Sequence, residues 1–376
     1  MPRPIRSALA TAVLLAAAAL APAAAAEPAA ADAAGHAAAK LPASPFAADD
    51  AIRAAGERIS RLPGGVRDKA DAVLDFIFDA ERGLGFEYRG YPTRTATEAF
   101  AARNGNCLSL VNLYLALARS AGLDAFPVEV EDFQSFSRRG GAVVRATHVV
   151  GGLWVNGVVY TVDFLPDKPK TYRRIDRIAD HRHAALVYNA LATEAMLTGG
   201  AERADDLFLA ALALEPDNAE AWNNHAVLAK RSGDSATARA RLERSLAADA
   251  GFLPALNNLA ALERAAGRLE AAEALEATAL AQKAQSPYFL TERALREARA
   301  GRLDDAEALL LRARRIDRDI PEIHLALGRL DLARGDEDRA AAHFAEARKR
   351  SQPLSDQYRN KLDTKIGKLT QLAAAR

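Results

Sequence analysis

Three kinds of hydrophobic pattern divide the chain. The first is one apolar stretch from Ala8 to Ala21, preceded by Arg3 and Arg6 and followed by Ala24, Ala25 and Ala26 before Glu27. The second is mixed. An apolar run with helical spacing extends from Cys107 to Arg119, and two strand-like runs flank Asn156-Gly157, the preferred pair for a two-residue type I′ hairpin. In that hairpin Trp154 stands across from Val159, and the same register sets His148 opposite Leu165, on the sheet face of Asp163; a bulge at Gly151-Gly152 would reverse this. The third pattern is helical and periodic. Gly199, Gly233, Gly267, Gly301 and Gly335 stand 34 residues apart, Ala204, Ala238, Ala272, Ala306 and Ala340 share one offset, and Phe208, Leu242, Leu310 and Phe344 share another, with Glu276 as the exception. Small residues at the alanine positions let two helices approach closely, and the glycine lets the chain reverse between them.

This period, with Pro216 and Trp222 at further positions, resembles the tetratricopeptide repeat. The resemblance implies about five repeats over 185–350, closed over 351–376 by a polar amphipathic helix that caps the last apolar face. It also implies a curved solenoid whose first helices line a groove for extended peptide. Asn223-Asn224 and Asn257-Asn258 recur at the repeat period on those helices, with Asn189 one repeat earlier. An amide offers both a donor and an acceptor, so such a row suits the main chain of a protein partner; the same residues can instead solvate the helix face or bond between repeats.

Chemistry gathers in the mixed region. Cys107 is the one cysteine in the chain, and the Gly105-Asn106 turn places it at a helix start. The positive end of the helix dipole favours a thiolate there. His148 and Asp163 follow in the order that nucleophilic acyl-transfer sites use. Together with the Leu/Ala-rich helix, the segment Ser120–Val128 and the helix-like Thr95–Arg103, these residues resemble the transglutaminase-like family of the papain-like cysteine fold. The resemblance spans about 110 residues, from Asp71 to about Arg182. It implies an α+β domain over 46–182 with Cys107 as nucleophile, His148 as general base and then acid, and Asp163 as the group that fixes the histidine tautomer. The Cys107 N–H would hold the oxyanion, with Asn104 or Gln134 as a second donor. Val149, Val150 and Phe164 depart from the residues usual near the family's histidine and aspartate. A member that has lost activity and serves only as a scaffold would share these features.

Composition narrows the function. The net charge of +1 includes Arg3 and Arg6, so no basic footprint for nucleic acid remains beyond the leader. The leader itself, 1–26, reads as a secretory signal with an A-x-A cleavage site, followed by an Ala/Pro-rich tether over 27–45; export to the periplasm or outside is expected. No later stretch has the length of a stable membrane span. No phosphate- or dinucleotide-binding fingerprint occurs, and neither a cofactor nor a metal is implied: the alternating pair in Asp180-His-Arg-His183 lacks a third ligand at usual spacing. His225 and His324 occupy apolar helix positions and read as packed core residues. Together the resemblances imply an α+β cysteine domain followed by an all-α repeat solenoid, with acyl transfer at an amide on protein held by the repeats as the expected activity and a noncatalytic interaction scaffold as the alternative.

Overall fold

The computed structural model describes residues 42–139, 142–155, 158–162, 175–352 and 356–374, with backbone only for 131–148, 175, 356–358, 361 and 373–374. The leader and most of the tether, the Asn156-Gly157 turn and Asp163 lie outside the described residues.

The N-terminal part is α+β. Helices α1 (Asp50–Ser60), α2 (Val66–Phe78) and α3 (Ala96–Ala102) surround α4 (Cys107–Ser120). Leu110, Val111, Leu113, Tyr114, Leu115 and Leu117 of α4 are all fully buried. A helix apolar on every side belongs at the centre of a domain, and each such side chain contributes about 1.5–3 kcal/mol by leaving water. Two short strands, β1 (Glu87–Tyr88) and β2 (Asn104–Gly105), pair in parallel just before α4. The main sheet is antiparallel, in the order β5 (Val158–Val162), β4 (Ala142–Val155), β3 (Ala125–Arg139), β6 (Ile175–Arg177).

The β4–β5 ladder pairs Val155 with Val158 and Trp154 with Val159, and continues without a shift to Gly151 opposite Val162. Gly151-Gly152 is therefore not a bulge in this ladder. Close packing explains both residues: a Cβ at Gly151 would lie 2.6 Å from the Tyr114 ring, and one at Gly152 would lie 2.5 Å from the Phe126 ring on the other face. The shift occurs instead between β3 and β4, where Val130 pairs with His148 but Gln134 pairs with Thr147.

The C-terminal part is a stack of helix hairpins: α5 (Asp180–Leu197) with α6 (Ala201–Leu214), α7 (Ala219–Arg231) with α8 (Ser235–Ala248), α9 (Leu253–Ala265) with α10 (Leu269–Lys283), α11 (Pro287–Arg299) with α12 (Leu303–Ile316), and α13 (Pro321–Arg334) with α14 (Glu337–Ser351). Helix α15 (Asp356–Ala374) closes it, burying Leu362 and Ile366 against Phe344 and Ala347. The five periodic glycines all have left-handed backbone, φ from 77° to 91°, and nothing stands near where their Cβ would be. Backbone conformation alone selects glycine at these turns. The periodic alanines are buried, and so are Phe208, Leu242, Leu310 and Phe344. Glu276 is exposed and accepts from Arg264 at 2.8 and 2.9 Å, so α10 buries only Ala272 and Ala279.

Candidate functional site

Cys107 is the first residue of α4 and is half-buried. Asn106 caps the helix: its Oδ1 accepts from the Ser109 N–H at 3.0 Å and from the Ser109 hydroxyl at 2.9 Å. The thiol thus lies at the positive end of a buried helix, the placement its position in the sequence predicted.

The backbone of His148, in β4, pairs with that of Val130 in β3; its side chain, like Asp163, lies outside the described residues. The neighbouring positions define the two sheet faces. Val149, Leu153 and Val155 join the core shared with α4, and Gly151 meets Tyr114 of that helix. Val150 joins Phe126, Val128 and Val130 on the opposite face. The register shift beside position 148 adds its extra residues to β3, between Val130 and Gln134. Asn104 is engaged locally, donating from Nδ2 to the Ala102 carbonyl at 2.7 Å; the Gln134 side chain is outside the described residues.

The first solenoid helix forms a wall of this region. Arg119 of α4 makes a two-pronged pair with Asp180 of α5 at 2.7 and 2.8 Å, which holds the Asp180 carboxyl below the usual range. Arg182 spans Glu129 of β3 at 2.9 Å and Glu215 beyond α6 at 2.8 Å. His183, fully buried, bonds through Nε2 to Asn112 Oδ1 at 2.8 Å. It serves packing between the two parts, and among the described residues no cluster of three metal-ligating side chains occurs. His225 and His324 are buried too, bonded to Asp205 at 2.6 Å and to the Arg318 carbonyl at 2.9 Å.

The asparagines form a chain across three repeats. Asn258 donates to Asn223 at 2.8 Å, Asn223 to Asn224 at 3.1 Å, Asn224 to Asn189 at 3.1 Å, and Asn189 to Glu220 at 3.2 Å. Of the alternatives open in the sequence, bonding between repeats is therefore present. Asn189 and Asn223 are buried, and Asn257 is exposed outside the chain. The doublet matters, because a residue of one repeat meets the residue 35 positions earlier, so the second asparagine of one pair reaches the first of the preceding repeat.

A groove of about 560 Å³ opens farther along the solenoid. Leu295 and Ala298 of α11, Leu330 and Ala333 of α13, and Leu369 and Leu372 of α15 line it, with Arg299 and Arg329 exposed at its edge. Sequence reading missed it because two consecutive hairpins and the closing helix contribute one stripe each.

The tetratricopeptide repeat family model matches residues 207–240. No curated protein sequence matches the chain. Among solved structures, the chain is similar to a MamA fragment from Desulfovibrio magneticus (18% identity, 45% of this chain and 96% of that one, TM-score 0.25). It is also similar to a thermophilic tetratricopeptide protein of Thermus thermophilus (25% identity, 50% and 99%, TM-score 0.27). A third is YrrB, described as a tetratricopeptide protein with an unusual peptide-binding site (17% identity, 48% and 92%, TM-score 0.25). A tetratricopeptide repeat is thus matched at 207–240, the C-terminal part around it is a tetratricopeptide-like helical solenoid, and an α+β domain precedes it.

Proposed function

We propose that this is an exported protein whose solenoid holds an extended protein segment in the groove between α11, α13 and α15. The carrying observation is that groove: an apolar floor whose rim carries exposed Arg299 and Arg329 against the one carboxylate of Glu337, with Arg334 tied to Asp304 and Glu307, suits a segment with alternating apolar and acidic side chains. The export half of the reading rests on the leader pattern at the N-terminus. For the groove, the test is binding of acidic-apolar and basic-apolar peptides to the full chain and to an Arg299→Glu/Arg329→Glu variant. Preference for the acidic set, lost in the variant by about tenfold or more, is expected. Equal capture of both sets by both proteins would refute the reading.

A second reading is supported by Cys107 at the capped start of α4: acyl transfer on the segment held. The thiolate adds to an amide carbonyl carbon, the C–N bond breaks, and the His148 imidazolium gives its proton to the departing amine. Water, or an amine, then displaces sulfur from the thioester, completing hydrolysis or transamidation. Asp163 would hold the imidazole. Alkylation of the purified protein across pH tests the thiol–imidazole pair, since Cys107 is the only thiol. Reaction at neutral pH that slows in His148→Ala is expected. Identical profiles would leave the α+β domain as a scaffold.

A further inference from the structure

We propose that Glu194, on the first helix of the solenoid, is a positioning residue for Cys107, acting through Thr93 and Asn106. The connection is a directed chain of hydrogen bonds. Glu194 Oε1 accepts from the Thr93 hydroxyl at 2.8 Å and from the Thr93 N–H at 2.9 Å, and Oε2 accepts from the same N–H at 3.1 Å. Because the Thr93 hydroxyl proton points to the carboxylate, its oxygen faces Asn106 as an acceptor, and Asn106 Nδ2 donates to it at 2.7 Å. That bond sets which way the Asn106 amide is turned, so Oδ1, not Nδ2, faces Ser109 as the cap of the Cys107 helix. A carboxylate 101 residues away in sequence from Thr93 thereby sets the orientation of the side chain adjacent to the thiol.

Two features make the chain rigid. Thr93 and Ser109 are buried, so water cannot stand in for a missing link. A second brace from the same helix grips the same loop: His183 bonds Asn112, Asn112 Nδ2 donates to the Arg94 carbonyl at 2.9 Å, and the Arg94 N–H donates to Ser109 Oγ at 2.8 Å. The solenoid therefore holds residues 93–94 from two sides, and these residues hold the start of α4.

The inference rests on Cys107 as the reacting group and is independent of whether His148 assists it. The test compares Cys107 alkylation across pH in the full chain for four variants. Glu194→Gln keeps the length and removes one acceptor oxygen. Glu194→Asp keeps the charge and shortens the reach. Thr93→Val removes the hydroxyl and keeps the shape, whereas Thr93→Ser keeps the hydroxyl. Loss of the oriented cap should raise the pH midpoint by about half a unit, the size of a helix-end effect on one charge, and slow reaction at neutral pH about threefold. Glu194→Asp and Thr93→Val should shift alike, with Thr93→Ser and Glu194→Gln, whose amide oxygen still accepts from the Thr93 hydroxyl and N–H, matching the parent. An unmoved midpoint in folded Glu194→Asp and Thr93→Val, even with a lower melting temperature, would make the chain purely structural and overturn the proposal. A downward shift in Glu194→Gln alone would also overturn it, since that is the signature of removing a nearby negative charge. If His148→Ala leaves alkylation unchanged while Glu194→Asp and Thr93→Val shift, the acyl-transfer reading fails and the positioning role stands.

Discussion

His183 has no exposed surface, yet it carries an ionisable ring. Asn112 gives its N–H groups to the Arg94 carbonyl, so its oxygen accepts from His183 Nε2–H, and the ring's Nδ1 meets no hydrogen-bond donor among the described residues. Burial, with Arg119 adding to it and Asp180 opposing, pulls the His183 pKa down to about 3. The unfolded chain therefore binds a proton that the folded chain refuses. Stability from this residue is complete above about pH 6.5 and is lost as pH falls toward 3, by up to about 1.4 kcal/mol per pH unit. Denaturant unfolding from pH 7 to 4.5 should show that acid loss in the parent and a flatter curve in His183→Gln; parallel curves would show that His183 is not its source. The sequence marks His181 and His183 as an alternating pair, but two residues apart on a helix point different ways, and His181 is exposed.

At the scale of elements, what was legible depended on how local the physics is. The 34-residue glycine spacing marks each hairpin because a left-handed turn is a property of one residue, and all five glycines have that conformation. The β4–β5 register followed from Asn156-Gly157 because a two-residue turn fixes the pairing of both arms. The register shift beside His148 was not legible, because its extra residues lie in the partner strand β3 and carry no turn signal. Long-range ties were hidden for the same reason. Glu263, for example, is almost fully buried and is held by Arg239 and Arg268, which pull its carboxyl below the usual range. Asp331 occupies the same repeat position, but Asp336 stands where Arg268 would be, and burial raises its carboxyl instead. Equal positions in a repeat carry opposite electrostatics once their neighbours differ.

In the whole molecule, α5 belongs to both parts. A boundary drawn between residues 182 and 185 falls inside it, and Phe46 packs against the cores on either side. Removing the α+β domain would expose His183 and Leu186 of that helix, so partner binding is best measured on the full chain. On the reading proposed above, the groove between α11, α13 and α15 holds an extended protein segment. The most direct measurement places a photocrosslinking side chain at Ala298, on the groove floor, and in a parallel protein at Ala277, exposed on α10, and irradiates each with an acidic-apolar peptide. Capture at position 298, absent at 277 and abolished when Arg299 and Arg329 are changed to Glu, is the predicted result; equal capture at both positions, or capture indifferent to those arginines, would contradict the account.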